Sequence, residues 1–199
     1  ETTVHVKNTG RCRELLLPGA SVWLTPGQNP ARKTAWDLIA VQKGGLLINL
    51  DAAAPNAVFG EYARAGLFLP ETEAVRPEVR FGASRFDFQL QAGGRTHFVE
   101  VKGVTLEQAG QTLFPDAPTQ RGVKHLQELI RARQEGYGAH AFFVIQLAEA
   151  RAFSPNDRTH PAFGAALRQA AAAGVALRAF CCRLTPESLA LGRPVPVLL

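Results

Sequence analysis

Methionine is missing from the 199 residues, and cysteine is scarce: Cys12 stands alone and Cys181 and Cys182 are neighbours. Three thiols with no CxxC spacing exclude a disulfide framework and a cysteine-based metal knuckle, and they fit a reducing cytoplasm. No apolar run approaches the roughly 18 residues of a membrane span, and the first residues lack the basic and apolar regions of a signal peptide. A soluble chain is predicted. No glycine-rich phosphate loop of the Walker kind is present. The GASRF stretch at Gly82 to Phe86 is no nucleophile elbow, because its serine leads into a strand instead of opening a helix, so serine hydrolase chemistry is disfavoured. The chain opens on Glu1, with TTVHV already reading as a strand in progress, and further residues are expected upstream.

What is there begins with balance. A hydrophobic share of 46% suffices for one or two modest cores, and nothing suggests disorder. Lysine and arginine number 22 against 17 acidic residues, giving a net charge of +5 and a pI near 9.5. That excess favours a polyanionic partner without demanding one.

The most informative stretch is SRFDFQLQAGGRTHFVEVKG, from Ser84 to Gly103. Both arms alternate apolar and polar residues, and the Gly93-Gly94 pair between them is a two-residue hairpin turn. With the glycines in the turn, Asp87 faces Glu100, Arg85 faces Lys102, Phe86 faces Val101 and Phe88 faces Val99. The period of two then gathers Arg85, Asp87, Gln89, Phe98, Glu100 and Lys102 on one surface, and Phe86, Phe88, Leu90, Val99 and Val101 on the other. Opposed carboxylates repel, so something cationic is expected between Asp87 and Glu100. A hard ion such as Mg²⁺ or Mn²⁺ wants one or two carboxylates, keeps waters and leaves room for phosphate oxygens. Lys102 beside it would neutralise charge on a reacting phosphoryl group, which together is phosphodiester hydrolysis. The alternative is an ordinary solvated, salt-bridged sheet face.

An Asp, then Glu-Val-Lys on the next strand, then a helix, resembles the layout of PD-(D/E)xK nucleases. The chain also resembles the sugar fermentation stimulation protein A family. The resemblance runs through VHVKNTGR (Val4 to Arg11), NPARKT (Asn29 to Thr34), NLDAAAPN (Asn49 to Asn56), SRFDF, FVEVK and LFPDAPTQRGVKHL (Leu113 to Leu126). It implies an amino-terminal OB-type barrel, which would be incomplete if strands precede Glu1. It also implies a PD-(D/E)xK-type α/β domain, DNA binding and a link to sugar-utilisation genes. On this reading the domains are 1–55 and 56–199. The catalytic residues are Asp87, Glu100 and Lys102. The metal ligands are Asp87, Glu100, the Val101 carbonyl and, from the helix before the sheet, Glu61. An exposed helical glutamate is the alternative for Glu61.

Upstream, TTVHVK, RELLL, SVWLT, WDLIAVQ and GLLINL read as short strands separated by turn residues. Lys7, Arg11, Arg13, Arg32 and Lys33 would form a basic groove, with Arg32 and Lys33 presented from a loop. Trp23 and Trp36 are either stacking platforms or core. A helix is predicted over Asn56 to Gly66, strands at Val79, AHAFFVIQL and VALRAFCCRL, and an alanine-rich helix from Pro161 to Ala173. The helix from Thr119 to Glu135 matters most. It buries Val123, Leu126, Leu129 and Ile130, and sets Gln120, Arg121, Lys124 and His125 at its amino end, where the helix dipole already favours phosphate. With Arg85, Arg11 and the Arg32-Lys33 pair these are the predicted nucleic-acid contacts. His125 is alternatively a proton donor, and Asp116 is expected to cap the helix. The expected partner is DNA, with RNA or a branched junction as alternatives. The expected activity is a metal-dependent nuclease, or else a regulator that binds DNA without cutting it.

Overall fold

The computed structural model describes residues 1–8, 10–27, 29 and 31–199. Gln28 and Pro30, in the loop that carries Arg32 and Lys33, lie outside the described residues. The chain begins with β1 (His5–Val6), β2 (Val22–Pro26), β3 (Trp36–Lys43) and β4 (Leu46–Asn49). β3 is the spine of this sheet. It pairs antiparallel with β2 on one edge, and on the other with β1 in parallel and β4 in antiparallel register. RELLL does not form a strand. Its residues turn back on Cys12, whose carbonyl accepts from the amides of both Leu15 and Leu16. A run of three leucines has no alternation to choose a face, so Leu15 is buried while Leu17 stays 57% exposed.

After α1 (Ala54–Arg64) come β5 (Thr72–Phe81), β6 (Ser84–Ala92) and β7 (Arg95–Val104), then a short hairpin of β8 (Leu106–Gln108) and β9 (Gln111–Phe114). The helix α2 (Gln120–Gln134), β10 (Gly138–Ile145), β11 (Ala152–Pro155), α3 (Pro161–Ala172), β12 (Ala176–Leu184) and β13 (Leu189–Val195) complete the chain. Six strands form one mixed sheet in the order β13-β12-β10-β7-β6-β5, and β8, β9 and β11 form a small second sheet. β10 is buried along its whole length, as a parallel strand covered on both faces must be. Its Ala141 and Phe143 meet Leu126 and Leu129 of α2 and Phe163 and Leu167 of α3. Its Phe142 and Val144 meet Val58, Phe59 and Ala63 of α1. α2 starts where Thr119 accepts from the Gly122 amide at 3.0 Å. Thr119, not Asp116, is therefore the cap.

The turn half of the hairpin has the predicted register, from Phe88–Val99 to Ala92–Arg95, whereas the predicted facing pairs Asp87–Glu100, Phe86–Val101 and Arg85–Lys102 are not made, because the strands part there. Gly93 and Gly94 both have positive φ (56° and 69°), the conformation a tight I′ turn requires, and Phe88 pairs with Val99. Phe88, Leu90, Val99 and Val101 share the α1 face, as expected. Phe86 does not. It stacks with Phe81 and lies against Phe98 on the α2 face. The change of face falls at Asp87 and at Glu78 across from it on β5, whose φ is 57°. Residues of one parity therefore point to opposite faces on either side of Asp87.

The amino-terminal sheet is not a separate body. Leu38, Val41, Ile48 and Leu50 belong to the same apolar core as Phe143, Leu129 and Phe163. The join is also hydrogen-bonded: Gln146 donates to the Asn49 side chain and to the Asp51 carbonyl, and Lys43 pairs with Glu107 at 2.9 Å.

Candidate active site

β6 and β7 part beyond the Phe88–Val99 pair, while Glu100 to Val104 of β7 continue to pair with Ala141 to Ile145 of β10. Asp87 fills the opening. One carboxylate oxygen accepts the Val101 amide at 2.8 Å, and the other accepts the Asn56 side-chain amide at 3.0 Å. Asn56 lies in the first turn of α1, so the amino end of that helix also faces the gap.

Glu100 is 3% exposed. Its Oε1 is held by both Lys102 Nζ and His125 Nδ1, whereas its Oε2 is buried with no hydrogen-bond partner. Burial works against a charge on Glu100, but the His125 hydrogen bond and the Lys102 ammonium outweigh it and hold the carboxyl below its ordinary range. At Asp87 the outcome reverses. Burial, reinforced by the Glu100 charge, raises its pKa despite Lys102 and the two hydrogen bonds. Two carboxylates in one opening are thus driven apart, one kept ionised and one made more basic.

Asp87, Glu100, Val101 and Lys102 line a cleft of about 380 Å³, with Asn8, Asn56, Asp116 and Arg121 among its other walls. Among the described residues no group of three or more His, Cys, Asp or Glu side chains is set to hold a metal. An ion would rest on two carboxylates plus waters or substrate oxygens, the ligand set of Mg²⁺. The unpartnered Glu100 oxygen fits such an ion. Along the wall of the cleft the strand passes too close to its neighbours for a side chain: a Cβ on Gly103 would run into Gln146 Oε1 and Pro55 Cγ, which line the same cleft.

Several predicted residues lie elsewhere. Glu61 is exposed and lines no part of the cleft. It follows Asn56 by five residues, about 140° around a helix, so only one of them can face the gap. His125 is buried behind Glu100 and cannot reach a DNA backbone; it positions the carboxylate. Arg32 is engaged in a two-pronged pair with Asp37, which His5 also contacts at 2.9 Å, leaving Lys33 as the exposed cation of that loop. Arg85 lies beyond the change of face and pairs with Glu78 at 2.7 Å, away from Lys102. Lys124 donates to the Ala83 carbonyl at 2.8 Å. Gln120 is exposed, Arg121 reaches the cleft, and Trp36 is 38% exposed while Trp23 is half-buried. Asn56 and Asp116 are the cleft residues that pattern reading missed. Asp116 accepts the Arg11 amide at 2.8 Å, a contact 105 residues apart in the chain and invisible to local periodicity.

Fold and cleft together define a two-domain protein, with an OB domain in front of an α/β domain whose central strands open onto paired carboxylates. The chain belongs to the sugar fermentation stimulation protein family: its RE-domain model matches residues 53–188, and the N-terminal OB-domain model of the same family matches residues 1–50. A sugar fermentation stimulation protein homolog of Desulfitobacterium hafniense (strain Y51) is 52% identical over 199 residues, covering 100% of this chain and 87% of that one. Its counterpart in Clostridium perfringens (strain 13 / Type A) is 49% identical over 202 residues, covering 100% of this chain and 88% of the relative. The fold is similar to the structure of Pyrococcus furiosus SfsA in complex with Ca²⁺, with a TM-score of 0.89 and 26% identity over 98% of this chain and 84% of that one. No helix among the described residues is long and apolar enough to cross a membrane.

Proposed function

We propose that the cleft is a phosphodiesterase site that binds DNA in the cytoplasm and cuts it with Mg²⁺ or Mn²⁺. The observation that carries this is the buried, unpartnered Oε2 of Glu100, beside Asp87 and Lys102. Burying a carboxylate oxygen without a donor is costly, and an ion with oxygen ligands offsets that cost. A relative of the same fold takes up Ca²⁺, another hard cation that prefers oxygen. When bound, such an ion polarises a phosphoryl oxygen and acidifies a water.

Asp87, Glu100 and the Val101 carbonyl would hold it. Lys102 stands two residues along the strand from Glu100, where its ammonium can meet negative charge building on the phosphoryl group. Arg121, which reaches the cleft beside His125 and contacts its Nε2 at 3.4 Å, orients a neighbouring phosphate. His125 keeps Glu100 ionised and fixed in direction, the role outer partners play around metal ligands. Labelled DNA incubated with Mg²⁺ or Mn²⁺ tests the reading: cleavage by the parent, lost in Asp87→Ala and in Lys102→Ala with binding retained, supports it.

The second reading is a DNA-binding regulator of sugar-metabolism genes that does not cleave. The engagement of Lys102 by Glu100 favours it, because an ammonium so held is not free to act on a phosphate. DNA bound but never cut across a broad panel of substrates would select this reading.

A further inference from the structure

Asp116 is also a wall of a second cavity, of about 620 Å³, that adjoins the cleft. This cavity is bounded by the 11–14 turn on one side and by the 156–159 turn and the small sheet on the other. Its floor is apolar, made of Leu106, Leu113 and Pro155, and three arginines, Arg11, Arg13 and Arg158, stand around it. Among the described residues, none of these three guanidinium groups is in hydrogen-bond or ion-pair contact with another protein group. Arginines nearby are engaged: Arg168 with Asp157 at 2.6 Å, Arg193 with the Ala150 carbonyl at 2.9 Å, and Arg151 with the Ala109 carbonyl.

The acids of the cavity offset the three only in part: Asp157 is taken up by Arg168, while Glu14 and Asp116 stand against the three arginines and leave one positive charge in excess. Free guanidinium groups over an apolar floor match a polynucleotide segment whose phosphates meet cations while its sugars and bases rest on hydrocarbon. A volume of about 620 Å³ accommodates one backbone but not both strands of a duplex.

We infer that the Arg11, Arg13 and Arg158 cavity holds single-stranded DNA running on from the phosphate in the cleft, so that the preferred substrate has an unpaired segment next to the cut. This rests on the phosphodiesterase reading for the cleft and names its substrate class.

The test is fluorescence anisotropy in EDTA, with a labelled single strand and a blunt duplex of the same sequence. The single strand is expected to bind more tightly to the parent. In Arg11→Ala/Arg13→Ala/Arg158→Ala, checked for folding by thermal melting, its affinity falls by about tenfold or more. The slope of log K against log[salt] falls by about 2, at roughly 0.7 per lost contact. Arg183→Ala, on β12, serves as the control for loss of a remote arginine and keeps the parental slope. Equal single-strand affinity and slope in the triple variant would overturn the inference, as would an equal loss for the blunt duplex. Arginine-dependent binding of the single strand with no cleavage in Mg²⁺ or Mn²⁺ overturns the phosphodiesterase reading alone. Cleavage of the single strand by the triple variant at the parental rate overturns the cavity alone.

Discussion

The two ends of β7 bury polar groups in opposite ways. At the amino end, His97 Nδ1 lies 3.0 Å from His140 Nε2, and the pair is closed off by the Phe68 ring against His140. Burial, helped by the charges of His97 and nearby arginines, pushes the His140 pKa down to about 3, so its ring is neutral at ordinary pH. At the carboxyl end, the same strand buries a charged glutamate beside a lysine and leaves one oxygen unpartnered. His140 Nδ1 is also buried without a partner, but on a neutral ring that costs less than the bare oxygen of an ionised carboxylate, which is retained for something the fold itself does not supply. In open α/β sheets, ligands gather at the carboxyl ends of strands, and the asymmetry along β7 follows that rule.

Breaking the carboxyl end should have the largest effect. Asp87→Ala or Lys102→Ala is expected to lower cleavage by about 10²–10³-fold, measured by single-turnover assay with binding checked separately. Residual cleavage within severalfold of the parent would remove these groups from the chemistry. His125→Ala acts one step back, through Glu100, and should cost about 10–100-fold in activity or metal affinity, read by titration with Mn²⁺. Metal affinity equal to the parent's would show that Glu100 needs no such support.

Gly103→Ala probes the close packing along the cleft wall. The added methyl meets Gln146 and Pro55, so a loss of about 1–3 kcal/mol in stability is expected by urea denaturation. An unchanged midpoint would mean that Gln146 swings clear at no cost. The amino end should respond to pH alone. The unfolded state takes up a proton at His140 near pH 6.5 while the folded state does so only near 3, so its contribution to stability is present above about 6.5 and is lost as pH falls toward 3. Between pH 6 and 4 the slope from this residue is at most about 1.4 kcal/mol per pH unit. His140→Gln should flatten it; parallel loss in parent and variant would place the acid sensitivity elsewhere.

Much of this was legible in the residues, for identifiable reasons. The Gly93-Gly94 turn set the hairpin register, because only glycine takes positive φ twice in succession without strain. Long periodic stretches gave α2, α3, β10 and β12 their places. That Asp87 and Glu100 share a cleft was legible, but the expected facing pair is not made: the strands part after Phe88–Val99 and Asp87 accepts the Val101 amide in the opening. The change of face at Asp87 was not legible, since it depends on the positive φ of Glu78, a residue type that rarely adopts it. Phe86 was misplaced for that reason. His125 looked like a surface cation because it clusters with Arg121 and Lys124 at the amino end of the helix, yet one position on from Lys124 is about 100° around the axis, enough to bury the imidazole and leave the ammonium exposed. Asn56 and Asp116 join the cleft through tertiary contacts alone.

The apolar core that runs unbroken from Leu38 and Ile48 into Phe143 and Phe163 carries a mechanical consequence. The amino-terminal wall of the cleft, with Asn8, and the sheet wall that carries Glu100 are anchored to a single block, and prising them apart would wet that interior. The jaws therefore do not gape to admit a guest. Whatever enters must suit an aperture cast when the chain first folded.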